Sequence, residues 1–188
     1  MASQKKPLCG IDEAGRGCLA GSLVIVGVVL TRAIEGLMDS KRLTENKREF
    51  LYPLIVENSH YHIVSFSAEE VDNLGISKCL QAGLFSIQKN LKKCYYLFDG
   101  NSTFGVNNIE TMIKADDKIA EVSAASILAK VTRDREMIAF AKEYPEYGFE
   151  KHKGYGTKSH MEALAKYNRC KVHRKTFRVK VLDEPKLI

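Results

Sequence analysis

No stretch of this chain approaches the roughly 18–20 uncharged apolar residues that a membrane-spanning helix needs. The N-terminus holds only Leu8, Cys9, Gly10 and Ile11 between Pro7 and the first acid, Asp12, so neither membrane insertion nor secretion is expected. Cys-x-x-Cys pairs are missing as well. The five cysteines, Cys9, Cys18, Cys79, Cys94 and Cys170, are odd in number and widely scattered, which argues against a disulfide framework, a zinc site or dithiol redox work and fits reduced thiols in the cytoplasm. Internal repeats and low-complexity segments are also absent. What remains, 188 residues of which 45% are hydrophobic, is enough for one core, so residues 1–188 are expected to form a single domain and a monomer.

The net charge of +6 is unevenly spread. Residues 151–188 carry eleven Lys and Arg against Glu162, Asp183 and Glu184, whereas residues 1–150 carry eighteen against twenty acids. A basic C-terminal segment running from Lys151 through Arg169, Lys171, Arg174, Lys175, Arg178 and Lys180 suits a polyanion. Read alone, the same charges equally describe a solvated surface.

Strand and helix patterns alternate along residues 1–150, which indicates an α/β fold. Leu8–Asp12 and the β-branched run Leu23–Leu30 read as buried strands, Tyr61–Phe66 as a third, Cys94–Phe98 as a fourth and Asn108–Ile113 as the last. Helices are expected from Glu45 to Val56, after a cap at Ser67, over Ile76–Leu91 with an apolar stripe, and over Ile119–Phe140 with a face of small residues. Beyond Gly148 the chain reads as loop until Ser159, where a Ser-x-x-Glu pattern opens a short helix to about Tyr167.

Acids cluster at the ends of these elements. Asp12 and Glu13 follow the first strand, Asp99 ends the fourth, and Asp116 and Asp117 precede the long helix. In open α/β sheets such positions converge on one crevice. Carboxylates crowded there repel one another unless a cation intervenes, and oxygen ligands without nearby Cys or His select Mg²⁺ or Mn²⁺ over zinc. Two such ions suit in-line phosphodiester hydrolysis. Singly, Asp99 is as readily a turn former, and Asp116 or Asp117 a helix-start acid. Asp12 and Glu13 are harder to dismiss, because burying two acids before the turn Ala14-Gly15-Arg16-Gly17 is costly without a cation. His152 and His173 read as surface histidines outside the site.

The run Gly10-Ile11-Asp12-Glu13-Ala14-Gly15-Arg16-Gly17 resembles the signature of ribonuclease HII, the type 2 ribonucleases H. Further matches follow in order over most of the chain: Asp39-Ser40-Lys41-Arg42-Leu43, Phe98-Asp99-Gly100-Asn101, Lys114-Ala115-Asp116, the segment Ser123–Asp134, and His152-Lys153-Gly154-Tyr155-Gly156-Thr157. The resemblance implies a ribonuclease H-like fold, a central mixed sheet flanked by helices (residues 1–150) with a helical, basic C-terminal segment (151–188) completing a substrate groove. It implies an endonuclease acting on RNA–DNA hybrids and on DNA duplexes containing ribonucleotides, leaving 5′-phosphate and 3′-hydroxyl ends. The family's metal ligands fall on Asp12, Glu13, Asp99 and Asp116, selecting Asp116 over Asp117. Substrate contacts fall on the main chain of Gly15, Arg16 and Gly17, on Tyr155, which would stack on the sugar following the ribonucleotide, and on Lys41 and Arg42 as phosphate contacts.

Two positions depart from the family pattern: Cys18 and Ser22 stand where proline is usual. Losing those rings predicts a looser turn, and a thiol near the site raises oxidative inhibition as an expectation. Competing functional readings are a DNA nuclease of the same fold, such as a resolvase, and a non-catalytic nucleic-acid-binding module. The Gly-Arg-Gly turn and the Lys-Gly-Tyr-Gly loop weigh against the first. Against the second stand four acids facing a polyanion.

Overall fold

Five of the eight residues in Leu23–Leu30 are Val or Ile, side chains that pack well on a pleated surface and lose rotamer freedom in a helix. They form β2, nearly all of it buried. The computed structural model describes residues 6–37 and 43–183, and in it β2 lies between β1 (Leu8–Ala14) and β3 (Ser59–Phe66), antiparallel to both. On its other side β1 pairs in parallel with β4 (Tyr95–Asp99), which pairs in parallel with β5 (Ile109–Met112), giving the sheet order β3-β2-β1-β4-β5. The strand that carries the first two acids is therefore the central one.

Alternation along β1 and β4 decides which side chains share a face. Cys9, Ile11, Tyr96 and Phe98 point into one core, with Leu80, Leu84 and Ile87 of α3 (Ile76–Asn90). Opposite it, Val24, Val26 and Val28 pack on Ala124, Leu128 and Val131 of α4 (Ala120–Glu143) and on Leu51 and Ile55 of α1 (Glu45–Glu57). Each large aliphatic chain fully removed from water there contributes roughly 1.5–3 kcal/mol. Gly10 faces α4 so closely that an added Cβ would lie 2.3 Å from Glu121 C and Val122 N. Helix α2 (Ala68–Leu74) opens on a capping box between Ser67 and Glu70, the cap expected at Ser67.

Beyond α4 the chain forms α5 (Phe149–His152), α6 (Lys158–Tyr167) and α7 (Lys180–Asp183). A third apolar cluster, including Ala20, Met137, Tyr147, Phe149, Leu164 and Val179, ties this segment to α4 and to the loop after β1.

Several details differ from the sequence expectations. β1 continues through Ala14, so Asp12 and Glu13 lie within the strand, held by pairing to Val26 and Ile25. The cap of α6 is Thr157, whose side chain accepts from the His160 amide, because Thr157 already holds the extended backbone a cap needs while Ser159 is inside the helix. The stretch after Gly148, read as loop, contains α5. Ser22 does not loosen its turn: its amide and hydroxyl both donate to the Glu136 carboxylate, at 3.1 and 2.7 Å, supplying two anchors that a proline could not make.

Candidate active site

The acids meet where the topology requires. Register pairs Ile11 with Phe98, so one step further along two parallel strands Asp12 and Asp99 are neighbours on the α4 face. Asp116 arrives on a short 3-10 turn, Ala115–Asp117, just before α4. Lys114, which precedes that turn, holds a left-handed conformation, φ 58°, a strain that non-glycine residues adopt only where the surroundings impose it. The Ala115 amide donates to Asp99 Oδ1 at 3.1 Å.

One carboxylate oxygen from each of Asp12, Asp99 and Asp116 lies within 4.8 Å of the others. Glu13 lines the same cleft beside this trio, reaching Arg16 at 3.6 Å through Oε1, while its buried Oε2 has no hydrogen-bond partner among the described residues. Asp117 stays outside the trio. Burial, followed by the neighbouring Glu13, pushes the Asp12 carboxyl well above the usual range, against a hydrogen bond from Ser126. Burial likewise raises Glu13 to about 7, although Arg16 opposes it. Desolvated carboxylates crowded together with an orphaned oxygen match a hard divalent cation, the donor set being oxygen alone.

The cleft encloses about 580 Å³. Its wall holds Gly15, Arg16, Gly17 and Tyr155 from the sequence expectations, together with Arg48, Lys114, Ser126 and Lys130, which sequence pattern alone does not single out. Lys130 and Ser126 sit one turn apart on α4, and their side becomes legible only from the way Asp12 faces that helix. Gly15 adopts φ +92° and a Cβ there would collide with Arg133 and the Ser22 carbonyl, whereas a Cβ on Gly17 would meet nothing within 4 Å. Gly15 is thus fixed by packing, and Gly17 is open to a ligand. Tyr155 is partly exposed, with Lys130 and Arg133 each 5.6 Å from its ring centre. Lys41 and Arg42 lie outside the described residues.

The family model for ribonuclease HII matches residues 9–180. The chain belongs to the ribonuclease HII family. The ribonuclease HII of Sulfurovum sp. strain NBC37-1 is 73% identical over 187 residues, covering 100% of both chains. That of Campylobacter jejuni subsp. doylei is 53% identical, covering 92% of this chain and 91% of its own. Among solved structures, the ribonuclease HII of Archaeoglobus fulgidus, determined in a complex with PCNA, superposes with a TM-score of 0.80 at 27% identity, covering 92% of this chain and 95% of that one. The α/β ribonuclease H-like fold and a ribonuclease H-type endonuclease activity on nucleic acid follow from this membership, as does dependence on a divalent metal. Among the described residues, no helix is long and apolar enough to cross a membrane.

Three expectations change. His152 and His173 are buried, not on the surface, and with His160 they form a stacked and hydrogen-bonded group: His160 Nε2 lies 3.0 Å from His173 Nε2, and the His152 and His160 rings stack at 4.3 Å. The apolar partner is Phe149, which shares α5 with His152 and is brought to His160 and His173 by tertiary packing. Arg174 is fully buried against main-chain carbonyls and is not offered to phosphate. Cys18 is fully buried, its thiol pushed up by burial and within hydrogen-bonding reach of Tyr155, the opposite of the exposed thiolate that oxidation selects.

Burial lowers both His160 and His173 to about 4. Each is held neutral when folded and takes up a proton on unfolding once pH falls below about 6.5. The stability they contribute is therefore complete at neutral pH and is lost between about 6.5 and 4, on the order of 1–3 kcal/mol per ring. Glu13, raised in the metal-free protein, acts with the opposite sign between 4.5 and about 7, so the histidines are best read directly. The imidazole proton resonances of His160 and His173 are expected to remain those of neutral rings at pH 5.5, and titration of either near 6.5 would contradict the burial argument.

Proposed function

We propose that this enzyme hydrolyses the RNA strand of RNA–DNA hybrids and cuts on the 5′ side of ribonucleotides embedded in duplex DNA, leaving 5′-phosphate and 3′-hydroxyl ends. The observation that carries the reading is one cleft lined by Asp12, Glu13, Asp99, an open glycine turn and a half-exposed tyrosine, with the buried Asp116 completing a trio of carboxylates within 4.8 Å of one another. Asp12, Glu13, Asp99 and Asp116 would hold two Mg²⁺ or Mn²⁺ ions. When bound, such ions supply an activated water and a counter-charge for the leaving 3′ oxygen.

The chain's own groups do the rest. The main chain of Gly15, Arg16 and Gly17 approaches the 2′-hydroxyl, the group that separates RNA from DNA, and Gly17 leaves room for it. Tyr155 stacks on the following sugar, its ring flanked by Lys130 and Arg133. Lys130, Lys114 and Arg48 line the cleft with positive charge suited to phosphates. Ser126 orients Asp12 by donating its hydroxyl proton.

A labelled DNA duplex with one ribonucleotide tests this. Cleavage 5′ of the ribonucleotide is expected with Mg²⁺ or Mn²⁺ and none with EDTA, while an all-DNA duplex stays intact. Cutting of both duplexes would instead support a DNA nuclease of the same fold.

A further inference from the structure

Two of the described arginines are buried to 1% exposure or less, Arg133 on α4 and Arg174 near the C-terminus. Neither has a carboxylate within ion-pair distance among the described residues. Their hydrogen bonds go to main-chain carbonyls instead. Arg133 donates from Nε to Ser22 O at 3.0 Å, from Nη2 to Ala20 O at 2.8 Å and from Nη1 to Lys153 O at 2.8 Å. Arg174 donates from Nε and Nη2 to Gly21 O, at 3.2 and 3.0 Å, and from Nη1 to Arg16 O at 3.2 Å. Burying a guanidinium this way is expensive unless each donor is used, so these carbonyls are held where a rigid planar fork dictates.

The backbone is shaped to the same end. Gly15, Gly21 and Gly154 all have positive φ, and a Cβ on Gly15, Gly21 or Gly154 would lie 2.3, 3.3 and 3.2 Å respectively from Arg133 side-chain nitrogens. Main-chain bonds join the same segments directly: Leu19 N to Gly154 O at 2.9 Å, Arg174 N to Leu19 O at 2.8 Å, and Gly21 N to Val172 O at 2.9 Å. Asp72 in turn anchors the residues after Arg174, accepting from the Lys175 amide at 2.6 Å and from the Thr176 amide and hydroxyl at 3.0 and 2.6 Å.

We infer that Arg133 and Arg174 are positioning residues that lock the Gly15–Gly17 turn and the Tyr155 loop into one rigid unit, and thereby set selectivity for an isolated ribonucleotide in DNA. This rests on the substrate roles proposed above for that turn and for Tyr155. A single ribonucleotide offers one productive register, in which turn and tyrosine must engage adjacent nucleotides at a fixed separation. A continuous RNA strand offers a 2′-hydroxyl at every step and tolerates a looser reader. Displacement of a positioning group by about 1 Å costs on the order of 100-fold.

The test compares kcat/KM for a one-ribonucleotide duplex with that for a continuous RNA–DNA hybrid in Arg133→Lys, Arg174→Lys, Asp72→Ala and Tyr155→Ala. The ratio of the two cancels any difference in folded fraction. Both arginine variants are expected to lower it at least about tenfold relative to the parent, mainly through KM, and Asp72→Ala about threefold. Affinity for Mn²⁺ should not move. Should either lysine variant fail to fold, Asp72→Ala, on the surface and outside the cleft, decides. A ratio within twofold of the parent in the folded variants, with Tyr155→Ala altering it, overturns the clamp. If Tyr155→Ala also leaves the ratio unchanged, the substrate reading beneath the clamp fails with it.

Discussion

Asp12→Asn is expected to lower cleavage by at least about a thousandfold, equivalent to about 4 kcal/mol of transition-state stabilisation, while binding of the hybrid stays within about threefold or tightens. Asparagine keeps the shape and the acceptor oxygen but removes the charge that, with Asp99 and Asp116 within 4.8 Å, suits a divalent ion. Stability should move the other way. In the metal-free protein Asp12 is buried beside Glu13 and Asp99, and its ionisation is opposed by both burial and neighbours. A carboxyl whose folded value is raised lowers stability as pH rises from the ordinary carboxylate range through that folded value. Removing it relieves the cost, so in EDTA at pH 8 the variant melts at the parent's temperature or above. The stabilisation that Mn²⁺ gives the parent, about 2.7 kcal/mol at a hundredfold excess over Kd and read as a rise in melting temperature, should largely disappear. Single-turnover cleavage and calorimetry with and without Mn²⁺ check all of this, and a variant retaining a tenth of parental cleavage would remove Asp12 from the metal site. Asp99→Asn and Asp116→Asn should lose cleavage to a similar degree.

Gly10→Ala is the second large effect, and it acts on the fold. The added Cβ would lie 2.3 Å from Glu121 C and Val122 N and 2.7 Å from Glu121 O, all main-chain atoms of α4. No side-chain rotation relieves that, so β1 and α4 must part along the contact that also brings Ser126 to Asp12. A loss of about 3 kcal/mol or more is expected, at the upper end for overpacking, with activity falling in the molecules that remain folded. Gly17→Ala provides the contrast: its Cβ meets nothing, so stability should hold while KM for ribonucleotide-containing duplexes rises. Denaturant midpoints of the two variants test the argument, which a loss under about 1 kcal/mol in Gly10→Ala would refute.

Asp12, Asp99 and Asp116 are legible in the sequence because each sits near the end of an element whose period is plain, and strand ends in an open sheet share an edge. Asp116 is separated from Asp117 only by resemblance to the family. The fold buries Asp116 completely and leaves Asp117 part-exposed on the same 3-10 turn. What stays illegible depends on partners distant in sequence. The positive charge of Arg174 reads as surface until its carbonyl acceptors at Arg16 and Gly21 are known. Ser22 reads as a loosened turn until Glu136 is found opposite it. His152, His160 and His173 form a group only because α5, α6 and the segment after them fold around Phe149. Charge and periodicity describe a residue's own element, and these three outcomes belong to tertiary contacts.

The central position of β1 also bears on how the enzyme is made. Asp12 meets Asp99 only after β1 has found β4, with β2, α1, β3, α2 and α3 lying between them in the chain. Pairing across so much intervening sequence is slow, because the loop must close before its contacts are gained. The acidic pocket is therefore expected to assemble late, with no ion site for a newly synthesised chain to nucleate around. Mn²⁺ should then slow unfolding and leave the folding rate unchanged, the pattern of an interaction absent from the folding transition state, which folding and unfolding rates measured with and without Mn²⁺ check.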